Sequence, residues 1–384
     1  MKQKNYKEII KRVLKYCFCI GFICNLVYFW ATCTSRPIEY EKFAPLIFKT
    51  SIIFLMIKIL FTDYSCKERI ISVLFVVLSI ATWKSSGMDV ILLQILIVAA
   101  MKDIEMEDIV KCIFFTAITM MSIGITHILL FNREAIVMVQ EFGRGGIETR
   151  FRMGSGHPNG LHIQFFWVLL SFLMLTHKKL RYYMWMILQV FNTELFLLTK
   201  SRTGFLGCTV TIVGFAIFHY IKPLQKYKIG YIFLQIGATI VVAISMIPSF
   251  WNILSQSTKL WELNQMMTGR LWQAAEIIKM YGYSVFGVKL PGDIVFDMGS
   301  TRVLVQFGII VFAMVSVGTI ISFIYLMKKQ RWDIAMALFA VCLYTITEWP
   351  YYLGCDLRMI IVGYVVYQWM DTRKKKGMKD NEMQ

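Results

Sequence analysis

Charged residues are scarce in this chain of 384 residues: they make up 17% of it, whereas hydrophobic residues make up 57%. A typical soluble domain has about 25% charged and about 45–50% apolar residues. Too few polar side chains are therefore present to cover water-soluble globules, which excludes a string of two or three soluble domains. The mean hydropathy of +0.58 describes the whole chain. The composition is that of a polytopic membrane protein.

Metal-binding and disulfide motifs are also lacking. The nine cysteines lie mostly inside apolar runs, with no CxxC pair and no Cys/His ligand spacing. We therefore expect neither a disulfide framework nor a metal site, and no cofactor. The net charge of +17 would suit nucleic acid. However, Lys and Arg occur in short clusters between apolar runs, where membrane topology requires them, so we expect no nucleic-acid partner.

Apolar segments long enough to span a membrane recur along the whole chain. A spanning helix needs about 20 mainly apolar residues. We predict an all-α, polytopic membrane protein in which residues 1–384 form a single integral membrane domain. The twelve candidate transmembrane helices are residues 17–33, 44–62, 69–83, 87–101, 108–131, 161–176, 182–199, 203–221, 229–250, 301–327, 332–350 and 354–370.

Basic residues orient these spans. The N-terminal segment MKQKNYKEIIKRVLKY is rich in Lys and predicts a cytoplasmic N-terminus. The apolar run that follows lacks a small-x-small cleavage site, so we interpret it as an anchor rather than a signal peptide. The short segments HKKLR, KPLQKYK, MKKQR and DTRKKK then lie inside. Both termini are predicted to be cytoplasmic, with two long outer loops at about 132–160 and 251–300.

The basic residues of these outer loops are mostly Arg, whereas the inner ones are mostly Lys. A guanidinium is a planar fork that binds phosphate through two hydrogen bonds, which Lys cannot do. The loop EFGRGGIETRFRMGSGHPNG (141–160) combines Arg144, Arg150 and Arg152 with six glycines, whose backbone N–H groups can converge on an anion. We interpret it as an anion-binding loop; the alternative is a flexible glycine loop with incidental charge.

Two residues are candidates for proton transfer. His157 is the side chain of the first outer loop that exchanges a proton near neutral pH. Glu194 lies inside a predicted span, where a carboxylate is costly and marks function by default; pairing with an Arg of the bundle is the alternative. The short turn KSRTG (200–204) follows two helical turns later. It should place Lys200 and Arg202 at the outer membrane boundary.

The second outer loop contains an amphipathic segment, about 257–282. Trp261 and Trp272 occur at helical spacing, with Arg270 and other basic residues opposite them. This pattern predicts a helix that lies on the outer membrane surface.

Further charged residues border the last outer segments. Asp297 and Arg302 precede or begin the tenth predicted span, and Glu348, Asp356 and Arg358 border the turn EWPYYLGCD. The last three residues form either part of the site or a local ion-pair set that orients helix ends, and the sequence leaves both open.

Several of these segments follow one another in a recognisable order. They are RFRMGSGHPNG (150–160), SRTG (201–204) and GRLW (269–272), followed by VFGV (285–288), Asp297 and Gly308. As an ordered set on a twelve-span bundle, they resemble the Wzy-type polysaccharide polymerases of the O-antigen polymerase and ligase superfamily. The resemblance covers about residues 130–310.

The resemblance implies a metal-independent membrane glycosyltransferase. Such an enzyme joins undecaprenyl-diphosphate-linked oligosaccharide repeat units into capsular, exo- or O-antigen polysaccharide, on the outer leaflet of the bacterial cytoplasmic membrane. Donor and acceptor are both polyprenyl-diphosphate-linked glycans. Membrane lipids, a flippase and a chain-length regulator are the other expected partners.

On this interpretation the candidate residues divide into three roles. His157 is the first choice for the catalytic base and Glu194 the second. The leaving diphosphate needs fixed cations, for which the candidates are Arg150, Arg152, Lys200, Arg202, Arg270 and Arg302. The candidates for binding the acceptor or sugar are Asn159, Trp272, Asp297 and Glu348.

Two other functions remain open at this stage. An O-antigen ligase would use the same donor with a different acceptor, and the sequence separates it poorly from a polymerase. A flippase for the same lipid-linked sugar would also need Arg residues that bind diphosphate. However, a transporter usually has two related halves and polar residues at the membrane midplane, whereas here no repeat is visible and the charges gather at the outer boundary.

Overall fold

Helices make up most of the structure, because a backbone in lipid must satisfy its own N–H and C=O groups. The computed structural model describes residues 2–32, 40–141, 146–292, 294, 296–349 and 354–382. The first helices are α1 (Lys2–Thr32), α2 (Tyr40–Phe61), α3 (Cys66–Ser86), α4 (Asp89–Ala100) and α5 (Met106–Phe131).

The second half of the chain continues in the same way, with several short helices among the long ones. In chain order they are α6 (Pro158–Thr176), α7 (Tyr182–Thr199), α8 (Arg202–Tyr220), α9 (Lys222–Lys226), α10 (Lys228–Met246), α11 (Trp251–Leu254), α12 (Thr258–Met266), α13 (Arg270–Tyr281), α14 (Gly299–Arg302), α15 (Gly308–Lys328), α16 (Trp332–Tyr344) and α17 (Leu357–Glu382). A π-helical turn, Val303–Phe307, joins α14 to α15.

Seven segments of the described chain are helical, long and apolar enough to cross a membrane: Glu8–Ala31, Lys42–Phe61, Met106–Phe131, Pro158–Lys179, Arg202–Tyr220, Lys228–Leu254 and Gly299–Lys328. They confirm the expected class, a helical membrane protein. The count of twelve spans and the orientation stay predictions. Each of the twelve segments overlaps a helix, but α16 ends at Tyr344, six residues before the predicted end of its span.

Two short apolar helices, α4 and α16, lie in the centre of the bundle. Every residue of α4 after Asp89 is buried, as are most residues of α16. At 1.5 Å per residue, helices of 12 and 13 residues are about 18–20 Å long, less than the roughly 30 Å of a hydrocarbon core. A helix that is apolar on all sides is typical of a protein core. Other helices therefore pack around α4 and α16.

The first long loop contains a feature outside the all-α prediction. Strands β1 (Val137–Glu141) and β2 (Ile147–Phe151) form an antiparallel hairpin. Their β-branched residues favour strands, and the hairpin carries Arg150 in β2. Arg144 lies outside the described residues.

The predicted amphipathic helix of the second long loop is broken into two. Thr268 and Gly269 both adopt left-handed backbone conformations, with φ of +55° and +80°. They end α12 and begin α13 with Arg270. The helices α11 and α13 pack on a second, smaller hydrophobic core that includes Trp251 and Leu271.

Two glycines close the base of the loop before α15. Gly287 and Gly308 have φ of +93° and +90°, and a Cβ on either would clash with the backbone of the other segment. The N–H of Val288 donates to the carbonyl of Val305 at 3.0 Å. The two ends of the chain between these points, which carries Asp297, are therefore in contact with each other.

Candidate functional site

The structure brings four polar residues together around the buried carboxylate of Glu348. Glu348 lies in the turn after α16, and its Oε1 accepts hydrogen bonds from the hydroxyl of Thr203 at 2.7 Å and Nδ2 of Asn159 at 3.2 Å. Arg270 Nη2 lies 3.4 Å from the same oxygen, and Arg270 also contacts Asp297. These five residues are called the Glu348 cluster below.

Arg270 bridges the two carboxylates of the cluster. Its Nε lies 3.3 Å from Oδ2 of Asp297, while its Nη2 reaches Glu348. The side chains of Glu348 and Arg270 are 6% and 11% exposed, whereas that of Asp297 is 38% exposed. Asp297 therefore lies at the mouth of the site, Arg270 below it and Glu348 at the bottom.

Three helices begin at the cluster. Asn159, Thr203 and Arg270 lie in the first turns of α6, α8 and α13. The local sequence explains each start: the Ser201 hydroxyl accepts a hydrogen bond from the N–H of residue 204 at the start of α8, and Gly269 supplies the left-handed turn before α13. A helix N-terminus carries partial positive charge. Three of them around one carboxylate make the site attractive to anions.

The environment of Glu348 changes its proton affinity. Burial raises the pKa of the Glu348 carboxyl to about 7; the positive charge of Arg270 lowers this pKa and the negative charge of Asp297 raises it. The carboxyl of Glu348 can therefore gain and lose a proton near neutral pH, which a general base requires.

His157 caps helix α6 beside the cluster. Its Nδ1 accepts a hydrogen bond from the backbone N–H of Asn159 at 3.2 Å, so the neutral ring carries its proton on Nε2. Burial lowers the pKa of His157; the charge of Asp297 raises this pKa, while those of Arg150 and Arg270 lower it. The imidazole is thus held neutral, with a donor rather than a free acceptor at Nε2.

Two arginines of the first loop are partly buried near His157. Arg150 is 3% exposed, and its Nε and Nη2 contact Oε2 of Glu148 at 2.8 and 2.7 Å. In Arg152, Nε is buried and has no hydrogen-bond partner among the described residues. Of the two side chains, that of Arg152 is the more exposed.

Arg302 is positioned by an aromatic ring. Its guanidinium lies 4.0 Å from the ring centroid of Trp349, and its Nε donates to Oε1 of Gln306 at 2.7 Å. Trp349 directly follows Glu348, so Arg302 holds the turn that carries the central carboxylate.

Two of the three charged residues of the last outer turn form a local ion pair. They are Asp356 and Arg358, and the third residue, Glu348, belongs to the cluster. Arg358 Nη2 contacts Oδ2 of Asp356 at 2.6 Å. Arg358 Nη1 donates to the hydroxyls of Ser300 and Thr345 at 2.7 and 3.1 Å. This buried network fixes the start of α17 against the end of α16, and Glu348 follows three residues after Thr345.

Four predicted site residues lie on exposed surface, away from the buried part of the cluster: Glu194, Lys200, Arg202 and Trp272. The position of Glu194 follows from helix geometry. Asn192 and Thr199 occupy the packed face of α7, where both hydrogen-bond His162. Glu194 is two residues from Asn192, about 200° around the helix, so it faces outward.

One cluster member was missed from the sequence. Thr203 belongs to the SRTG motif, but its charged neighbour Arg202 drew the functional assignment. The next residue, Gly204, packs against the ring of His162, where a Cβ would lie 2.5 Å from Cγ. This close approach of α8 to α6 brings Thr203 and Asn159 to the same carboxylate.

Comparison of the chain with protein-family models, with curated proteins and with solved structures gives no match. Among the described residues, no group of three or more His, Cys, Asp or Glu side chains is placed to hold a metal ion. The arrangement itself combines a carboxylate that titrates near neutral pH, an arginine that contacts it and three helix N-termini. It can accept a proton while stabilising a departing anion.

Proposed function

We propose that this protein is a polysaccharide polymerase of the bacterial cytoplasmic membrane. It transfers a growing glycan from undecaprenyl diphosphate to a lipid-linked repeat unit on the outer leaflet. The observation that carries the proposal is the Glu348 cluster, because it joins a base and a cation within 3.4 Å of each other at three helix N-termini.

Glu348 is the base in this proposal. An acceptor hydroxyl donates its proton to Glu348 while the hydroxyl oxygen bonds to the anomeric carbon of the donor. The bond from that carbon to the diphosphate oxygen breaks, and the diphosphate leaves with the electron pair. A single displacement of this kind inverts the anomeric centre. His157, held by its cap, keeps the start of α6 in place and offers Nε2–H to the sugar.

The cations of the site stabilise the leaving diphosphate. Arg270 moves from Asp297 to a phosphate oxygen with little displacement, since Asp297 is partly exposed. The unengaged Nε of Arg152 and the helix N-termini add to the positive potential. Lys200 and Arg202, on the surface beside Thr203, attract the lipid diphosphate before it enters. Asn159 and Asp297 then remain for the hydroxyls of the sugar.

The outward orientation of the site rests on α6. This helix begins at the cluster and ends at the basic segment HKKLR, which the positive-inside rule places in the cytoplasm. Twelve spans with both termini inside are consistent with this placement. The two short central helices then cross the bundle core within the protein rather than through lipid.

The experiment that tests the proposal is deletion of the gene followed by analysis of lipid-linked intermediates. Single repeat units on the outer leaflet without long polymer support a polymerase. Long polymer that stays on undecaprenyl diphosphate would show a ligase instead. Repeat units trapped on the inner leaflet would show a flippase. The catalytic roles proposed for Glu348 and Arg270 would then be wrong.

A further inference from the structure

A polar cavity lies at the opposite end of α6 from Glu348. Its volume is about 260 Å³, and it is lined by the start of α5, the end of α6 and the start of α16. The 19 residues of α6 separate it from the Glu348 cluster by about 28 Å. Because a hydrocarbon core is about 30 Å thick, the cavity lies at the headgroup level of the other leaflet.

A buried histidine in this lining has an unused acceptor. His177 is 2% exposed, and its Nδ1 lies 3.0 Å from the carbonyl oxygen of Leu173. A carbonyl only accepts, so Nδ1 carries the proton and Nε2 has a free lone pair. Nε2 is buried without a hydrogen-bond partner among the described residues. Trp332 holds the ring edge-on, with centroids 4.6 Å apart.

The charges around the cavity favour an anion that also has a hydroxyl group. Arg331 and Asp333 neutralise each other through two hydrogen bonds of 3.0 and 2.9 Å, and Glu107 is paired with Lys111. Lys178 lines the cavity, is exposed and has no carboxylate partner within the described part of the chain. A ligand therefore needs a negative group for Lys178 and an O–H donor for His177.

The remaining lining is apolar. Met106, Val110, Met174 and Leu175 form walls beside the charged residues. A soluble anion would leave these walls in contact with water, whereas the first methylenes of an acyl chain would cover them. Clustered basic residues at a membrane boundary bind anionic headgroups, and Lys178 belongs to such a cluster, HKKLR.

We propose that this cavity binds the headgroup of an anionic glycerophospholipid that has a free hydroxyl group. The phosphodiester pairs with Lys178, the hydroxyl donates to Nε2 of His177, and the glycerol backbone and upper acyl chain contact the apolar walls. The site is independent of the proposed glycosyl transfer. It fixes α6 and α16 at one membrane boundary while their other ends carry the Glu348 cluster.

Native mass spectrometry of the purified full chain tests this proposal with lipids of identical acyl chains. Phosphatidylglycerol has the charge and the hydroxyls, phosphatidylmethanol has only the charge, and phosphatidylcholine has neither a net charge nor a hydroxyl. We expect affinity to fall in that order. Lys178→Gln should weaken phosphatidylglycerol binding about fivefold. The matched variant Lys179→Gln, in the same basic segment but outside the cavity lining, should weaken it less.

His177→Asn isolates the hydroxyl contact. The Asn amide can still donate to the carbonyl of Leu173, but the substitution removes the acceptor Nε2. In this variant phosphatidylglycerol should lose its preference over phosphatidylmethanol, a loss of about fivefold. The soluble headgroup glycerophosphoglycerol, added as a competitor, should bind far more weakly than the lipid. Equal binding of all three lipids, equal binding by Lys178→Gln and Lys179→Gln, or full saturation by the soluble headgroup would overturn the proposal.

Discussion

Two groups of charged residues that the sequence predicts for the site differ in burial. Glu348 and Arg270 are nearly enclosed and contact each other, whereas Lys200 and Arg202 form a basic rim on the surface beside Thr203. Exposed charges interact weakly with one another and are screened by salt. Burial, in contrast, has raised the pKa of Glu348 to about 7. On the proposed function, the enclosed pair performs proton transfer, whereas the exposed rim contributes only attraction to the lipid diphosphate.

The largest effect should come from Glu348→Gln. Glutamine keeps an oxygen that accepts from Thr203 and Asn159 but cannot take up a proton. Loss of a general base reduces turnover by about 10²–10⁴-fold. Turnover should be measured with purified protein in nanodiscs and lipid-linked repeat units. The control is Glu194→Gln on the exposed face of α7, which should retain activity. If the two variants were equally active, Glu348 would not be the base.

The pH dependence of turnover also tests whether Glu348 is the base. The base must be deprotonated, so the rate should rise with pH up to about 7 and then level off. Below that pH it should fall about tenfold per unit. Asp297 raises the pKa of Glu348, so Asp297→Asn should move the midpoint to lower pH. A midpoint that stays in place, or a rate that falls with rising pH, would contradict this assignment.

Replacement of arginine by lysine should lower turnover more at the enclosed Arg270 than at the exposed Arg202. Arg270→Lys keeps the charge but cannot contact Glu348 and Asp297 together, so we expect about a tenfold loss of turnover. Arg202→Lys keeps the long-range attraction and should stay within about threefold of the unaltered protein. Higher salt should weaken binding in both proteins through the rim. Equal losses in the two variants would remove the distinction between cluster and rim.

The smallest effect on chemistry is expected from the helix contact behind the site. Gly204→Ala places a Cβ against His162 and should reduce stability by about 1–3 kcal/mol, with turnover lowered only a few-fold. Gly124 in α5 has open space around it, so Gly124→Ala should be neutral or stabilising. Thermal unfolding of the two variants in the same detergent measures the difference. An unchanged unfolding temperature for Gly204→Ala would argue against a close approach of α6 and α8.

The helical framework could be predicted from the sequence because spanning segments are local patterns. Runs of about 20 apolar residues predicted the helices. Charge in outer segments made Arg270, Asp297 and Glu348 site candidates, whereas Asn159 was a candidate through the resemblance of its loop segment, RFRMGSGHPNG. The cluster itself joins segments that are up to 189 residues apart. No local sequence pattern indicates which of these segments are in contact. The sequence therefore could not show which candidate residue surrounds which.

The predictions of site residues that lie outside the Glu348 cluster share one physical origin. Charge identified Glu194 and Arg202, but a charged residue can lie on either face of its helix, and only packing decides. Asn192 and Thr199 are seven residues apart and therefore mark one face of α7, the packed face. Both residues are polar but uncharged, so a search for charged residues does not find this face. Thr203 was missed for the same reason. The two left-handed residues Thr268 and Gly269 likewise divided a segment whose amphipathic pattern predicted one helix.

The contact between Gly287 and Gly308 gives the outer loop a modular character. Because its two ends meet at one point, changes in the exposed part of the intervening chain need not propagate into the bundle. Its second part differs, since Ser300 and Thr301 are buried and hydrogen-bond the bundle. The residue at the mouth of the site, Asp297, lies within this chain, whereas Glu348 lies outside it. On the proposed function, residues around Asp297 could therefore change with the sugar that is bound, while Glu348 stays in place.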